Sequence, residues 1–369
     1  MSNIYLRNYL SVVLLLLLFN DNCAYAEDKQ VIKLGMSTAL TGPAKQIGEQ
    51  LYQGSNVYFN KVNKSGGING VQVQLIVADD GYEPRRAVRN TRHFIYKDKV
   101  DALFGAMGTP TSFAVSALLE KLQTPYLMPY SGAEFLHYQP KMNVFNLRAS
   151  YEDEADEQIK YLVEEKNHSR IGLLIQADEF GFVVESGLRK SLAKFNLKPV
   201  KVARFQRNSH DIANALKTLK ASGVTAISLV GTYKPLSEFI NNAYEQQFTP
   251  EYTSVSFASN SDLLALLKYP SEVMVTEVVP NPHKCSAYWC REFLKDMALA
   301  NINKPNRIHF EGYLNAMVFT TAAQRCPQPL QHNCLMQRLN IIFSDDKQIN
   351  ALFINKTDKN KHIVYRSVL

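Results

Sequence analysis

From residue 31 onward the chain alternates short β-rich apolar runs with stretches whose apolar positions recur at helical spacing. VIKLGMS (31–37) reads as a strand, and GEQLYQGSNVYFNKVNKSGG (48–67) as a helix. In that helix Leu51, Val57, Tyr58 and Val62 form the apolar stripe, and Gly66-Gly67 supply a left-handed C-cap. VQVQLIVADD (71–80) alternates and then runs apolar, as a strand does. EPRRAVRNTRHFIYKD (83–98) is helical, with Pro84 in its first turn. DALFG (101–105) predicts a buried strand, residues 112–122 a helix and TPYLMPY (124–130) a further strand. The pattern restarts at 170 with RIGLLIQ, VKVARFQ, TAISLVG and YTSVSFA as strands. Helical stretches beginning at Glu179, Asp211 and Lys234 separate them. Repeated β-α-β units imply parallel sheets covered on both faces, so the expected fold is α/β with two units side by side. VFNLRASYEDE (144–154) is the first connection between them. EVMVTEVVP and the runs NIIFS, INALFIN and HIVYRSV are expected as strands around a helix at 311–326, returning to complete both sheets.

The first 26 residues stand apart from this pattern. Arg7 precedes the ten-residue apolar run Leu10–Phe19, which is shorter than the roughly 20 residues a membrane span needs. Ala24-Tyr25-Ala26 follows as a cleavage site, so a signal peptide removed near Ala26 is expected and the mature chain is exported. The competing possibility is lipid modification of Cys23, whose neighbour Asn22 is a poor fit. The remainder is long enough for two ordinary domains. Net charge is +7, with Lys and Arg scattered rather than clustered; Arg85, Arg86, Arg89 and Arg92 sit at helical spacing, which fits a solvated face and not a nucleic-acid partner. Without Cys23 four cysteines remain, an even count that suggests disulfides in an oxidising compartment. Three pairings are possible; spacing favours Cys285 with Cys290 and Cys326 with Cys334. No Cys-x-x-Cys occurs, and no metal or cofactor is expected.

Motifs of catalysis are missing: there is no G-x-S-x-G, H-E-x-x-H, G-x-x-x-x-G-K-[ST] or G-x-G-x-x-G, and the eight histidines are scattered. The chain is read as a binder, not an enzyme. LFGAMGTPTSFAVSALLEKL (103–122) is the turn best placed to bind, where a strand's carboxyl end hands over to a helix. Free backbone N–H groups and the helix dipole favour negative charge there, and Thr109, Thr111 and Ser112 add hydroxyls. No Lys or Arg lies within 103–120, so a singly charged or polar group suits it better than phosphate.

The ordered segments VIKLGMSTALTGP (31–43), KSGGING (64–70), ADDGYEP (78–84), GTPT (108–111), PYSGAEFL (129–136), NLRASYEDE (146–154), GTYKP (231–235) and EGY (311–313) resemble bacterial extracellular solute-binding proteins. The likeness is to the leucine/isoleucine/valine-binding branch of the type I periplasmic binding fold. It implies two doubly wound lobes joined by three crossovers near 148, 275 and 348, closing on a ligand. On this basis 27–148 and 276–348 form lobe one, and 149–275 and 349–369 lobe two. It further implies a periplasmic, monomeric receptor for an amino acid or related carboxylate, with the permease of an ATP-driven importer as partner. A sensor signalling to a membrane receptor would use the same fold. Carried over residue by residue, Thr109 and Ser112 are the carboxylate donors, and Gly132 and Ala133 offer backbone groups. Phe180, Tyr233 and Phe257 are walls. Glu134 stands where amino-acid binders carry Thr, Ser256 about where they carry the ammonium-binding acid, and Ile47 where an aromatic is frequent. Either Glu134 faces an ammonium, or the ligand is not an α-amino acid, or Glu134 is a solvent-facing acid at a helix start.

Overall fold

The computed structural model describes residues 31–137, 143–345, 347–354 and 362–368. The chain separates into two units, residues 1–31 and 32–369, and the second carries the sheets and their helices. The expected leader and Cys23 lie outside the described residues.

Two sheets organise the molecule. The first holds β1 (Val31–Thr38), β2 (Gln72–Asp79), β3 (Ala102–Phe104), β4 (Tyr126–Leu127) and β5 (Val144–Phe145) in the order β2-β1-β3-β4-β5. The second holds β6 (Ile171–Gln176), β7 (Lys201–Phe205), β8 (Ala226–Val230), β9 (Glu251–Ser254), β10 (Val273–Glu277) and β11 (Tyr365–Val368) in the order β11-β10-β9-β8-β6-β7. β3 pairs in parallel with β1 and β4, β4 with β5, and β7, β6, β8, β9 and β10 in parallel along the second sheet, whereas β11 closes antiparallel on β10 with Glu277 opposite Tyr365. Burial follows from this. β6, β8 and β10 are buried at every position, whereas the edge strands β7 and β11 are partly exposed.

The alternation of side chains splits the first sheet between two cores. Leu103 and Tyr126 join Phe94, Val115 and Leu119 on one face. Ala102, Phe104 and Leu127 join Phe59, Phe310 and Phe319 on the other. The helices covering lobe one are α1 (Lys45–Lys64), α2 (Pro84–His93) and α3 (Thr109–Leu122). Lobe two carries α4 (Tyr151–Lys160), α5 (Glu179–Lys194), α6 (Ala213–Ala221), α7 (Tyr233–Glu245) and α8 (Asn260–Ala265). The chain then returns to lobe one as α9 (Tyr288–Leu299), α10 (Arg307–Ala323), α11 (His332–Asp345) and α12 (Lys347–Phe353) before crossing back to β11. α1 and α10 touch backbone to backbone, which only glycine permits: a Cβ on Gly54 would stand 1.9 Å from His309 O, and one on Gly312 2.2 Å from Leu51 O.

Three expectations are corrected. NIIFS falls inside α11 and INALF inside α12, so neither is a strand. A short apolar run reads alike for a strand and a buried helix turn, and here Leu335, Leu339, Ile342, Ile349, Leu352 and Phe353 pack on the lobe-one core. The returning segment consequently adds helices, not strands, to the first sheet, whose last strand ends at Phe145. Of the three possible cysteine pairings, the structure forms Cys285–Cys290 and Cys326–Cys334, each with Cα atoms 5.9 Å apart.

Candidate functional site

The carboxyl ends of both sheets face one another, and the loops that leave them meet in a closed cleft. At one lip Arg207 pairs with Glu83 at 3.1 Å, and Asn208 Nδ2 donates to Glu83 at 2.7 Å. At the other, Gln50 Nε2 donates to Asp262 at 3.1 Å and Asn306 Nδ2 to Ser261 at 2.8 Å.

Five fully buried rings fill the middle. Phe257 stands 4.7 Å from Phe180, 5.5 Å from Tyr130 and 5.6 Å from Tyr82, and Tyr151 stands 5.4 Å from Phe180. Tyr82 and Tyr130 come from lobe one, Phe180 and Phe257 from lobe two, and Tyr151 from the start of α4. The DDGY turn explains the first of these. Asp79 accepts from Leu40 N, Thr41 Oγ1, Gly81 N and Arg86, and Asp80 from Ser37 Oγ and Tyr82 N. Together they hold Tyr82 at φ 61°, a left-handed conformation that costs a non-glycine residue about 1–3 kcal/mol and aims its ring into the cleft. Burial opposes the charge on Asp79, yet its hydrogen bonds prevail and hold the carboxyl down at about 2. Burial prevails at Asp80, which is pushed up to about 6.

The turn at 105–112 contributes one hydroxyl to this space. Gly108 has φ 101°, and a Cβ there would meet the Tyr82 ring at 2.3 Å. Thr109 Oγ1 lies 2.8 Å from Ser131 Oγ, beside Tyr151. Thr111 Oγ1 turns back onto Met107 O and Gly108 O, and Ser112 Oγ is 2.8 Å from the Tyr126 hydroxyl inside lobe one. The hydroxyls of Tyr82 and Tyr151 are buried and make no well-formed hydrogen bond. In the next loop Gly132 O accepts from Tyr151 N at 2.7 Å, and Ala133 N donates to Ser131 Oγ at 3.3 Å. Glu134 stands at the helix start: its carboxylate accepts from Glu152 N at 3.1 Å and borders a shallow groove with Lys190 and Phe182. Tyr233 is buried, its hydroxyl beside the Gln46 backbone, and Ile47 is fully buried.

Sequence reasoning passed over the strongest polar group here. Arg148, on the first crossover, is 2% exposed and donates through Nη1 to both oxygens of Glu311 at 2.7 Å. Its Nη2 reaches Ser256 Oγ, and its guanidinium lies 4.1 Å from the Tyr130 ring centre. Ser256 in turn donates from Oγ and N to Glu154 at 2.8 and 2.7 Å, and Thr276 Oγ1 donates to Glu154 at 2.6 Å. Burial works against the Arg148 charge, and Glu311 more than offsets it, raising the pKa; burial raises those of Glu311 and Glu154. The network runs from α10 in lobe one through the crossover to β9, β10 and α4 in lobe two. The sequence signal was a charged residue held between Leu147 and Ala149.

Two α/β lobes joined by three crossovers, with facing carboxyl ends closed over rings and hydroxyls, define a ligand-clamping protein. The chain belongs to the periplasmic binding protein family, whose pattern it matches over residues 31–362; members bind ligands without transforming them. It is similar to an amino acid binding protein of Pseudomonas aeruginosa (22% identical over 223 residues) and to the Leu/Ile/Val-binding protein of Escherichia coli (22% over 223 residues). Each match covers 60% of this chain and 60% of the relative's length. The crystal structure of a possible leucine/isoleucine/valine-binding protein from Rhodopirellula baltica superposes with a TM-score of 0.85 at 26% identity, covering 93% of this chain and 95% of that one.

Proposed function

We propose that this protein captures a small carboxylate-bearing ligand, an amino acid or a related compound, between its lobes and delivers it to the permease of an ATP-driven importer. One observation carries the proposal: Thr109 and Ser131 stand together at the carboxyl end of the first sheet, against five buried rings drawn from both lobes. A few placed polar groups in an apolar enclosure are what a small-molecule site requires. Thr109, Ser131 and the backbone of Gly132 and Ala133 would receive the carboxylate, and Phe180, Tyr233 and Phe257 enclose the rest. The Tyr82 and Tyr151 hydroxyls add donors. Glu134 is engaged with the α4 backbone, so it does not oppose a carboxylate at Thr109. Ser112, bonded to Tyr126, supports the turn rather than the ligand. The relatives named for amino acid and Leu/Ile/Val binding favour this ligand class.

With this reading go export through a leader cleaved near Ala26, action as a monomer, and lobe boundaries near 148, near 275 and after Phe353. Closure is a population shift: ligand binds the compact form better and holds it for presentation to the membrane partner. A thermal-shift screen of amino acids, amides and short carboxylates tests the proposal. A ligand at 100 times its Kd stabilises by about 2.7 kcal/mol, and Thr109→Ala is expected to weaken binding of the same ligand about tenfold or more. Failure of every carboxylate to stabilise the protein, or full binding by Thr109→Ala, overturns it.

A further inference from the structure

A second cavity, of about 720 Å³, opens between the lobes beside the second and third crossovers. Its lobe-two wall includes Asn260, Glu277 and Arg366, and its lobe-one wall Asn281, Lys284, Lys304 and Arg307. It is separate from the Thr109 site: neither Thr109, Ser131 nor any of the five rings lines it. The charge on its wall is one-sided. Arg366 is engaged by Glu157 and Glu165, but Lys284 and Lys304 are exposed and make no ion pair among the described residues. Arg307 approaches Glu277 at 3.5 Å with a single nitrogen, while its Nε is buried without a partner.

We propose that this cavity is a second ligand site, taking a small organic anion with one or two carboxylates, gripped by Arg307 and drawn in by Lys284 and Lys304. The volume is that of a small-molecule site, and a guanidinium with an unused edge suits a carboxylate. Glu277, the one acid among the described wall residues, does not oppose the anion. Burial pushes its carboxyl up to about 8; Arg307 opposes that shift, Glu154 reinforces it, a hydrogen bond with the Asn260 side chain and the Arg148 charge weaken it, and Tyr130 and Tyr365 are the other titratable neighbours. The shift favours the protonated form near pH 7, so Glu277 offsets little of the Arg307 charge. Because both lobes supply walls, occupancy of this site and lobe closure are linked.

The test is calorimetric titration of the full chain with succinate, and with putrescine as the cation of equal carbon number. Succinate is expected to bind at pH 7, at least tenfold more weakly to Arg307→Gln, and several-fold more weakly to the exposed-rim variant Lys284→Ala/Lys304→Ala. Affinity is expected to fall at pH 9, where Glu277 ionises, and to be unchanged in Thr109→Ala, which separates this site from the Thr109 site. Preference for putrescine, no binding of succinate, undiminished succinate binding by both basic-residue variants, or its loss in Thr109→Ala overturns the proposal.

Discussion

Two guanidinium–carboxylate pairs lie where the lobes join, and they are built differently. Arg148 meets both oxygens of Glu311, a serine hydroxyl and a tyrosine face, and is 2% exposed. Arg307 meets Glu277 at one 3.5 Å contact and borders a 720 Å³ cavity. The first pair is complete within the protein and fixes how the crossover sits. The second leaves charge and hydrogen-bonding capacity facing space that a ligand can reach. The chemistry is the same but the degree of satisfaction is opposite, so burial alone does not tell a structural ion pair from a binding group.

The largest effect expected from breaking this contrast is at Arg148. Arg148→Leu strands Glu311 and Glu154 as buried acids without their cation, and should cost about 3–5 kcal/mol in urea unfolding. Changing Arg148 and Glu311 together to apolar residues should recover much of that loss. Equal losses in the single and double variants would show that the pair is not the source. A similar contrast separates the adjacent aspartates of the DDGY turn. Asp79, held at about 2, contributes about 2 kcal/mol of stability that is present above its unfolded value near 4 and lost as pH falls through 2. Asp80, raised to about 6, has the opposite sign: its contribution is complete below about 4 and lost as pH rises through 6. Thermal melts from pH 2 to 8 should therefore show Asp79→Asn flattening the acid limb and Asp80→Asn flattening the limb between 4 and 6. Smallest of all, Arg307→Gln should change unfolding stability by no more than about 1 kcal/mol, since a single 3.5 Å contact to a carboxyl that favours its protonated form contributes little. A loss as large as that of Arg148→Leu would place both pairs in one structural class.

The fold was mostly legible because its signals are local. Near-continuous apolar runs marked β6 and β8, and glycines marked the end of α1; the start of α4 rests on Ser150, whose hydroxyl accepts from Asp153 N. The misread segments, NIIFS and INALF, are runs too short for periodicity to decide. The candidate site was legible wherever a residue belonged to a strand-end turn, as with Thr109, Phe180 and Phe257. Ser112 shows the limit: sequence placed it in the right turn, but only packing aims its hydroxyl at Tyr126.

By itself the sequence determined the β-α order, the two-lobed class, the family and the turns at the strands' carboxyl ends, since each is written in residues close along the chain. Tertiary structure decided which groups meet. Glu311 lies 163 residues from Arg148, and Ser256 lies 102 from Glu154. Glu277 ends β10 and Arg307 begins α10, 30 residues apart in sequence. No local pattern encodes such encounters; they arise only when the crossovers bring two separately built cores face to face.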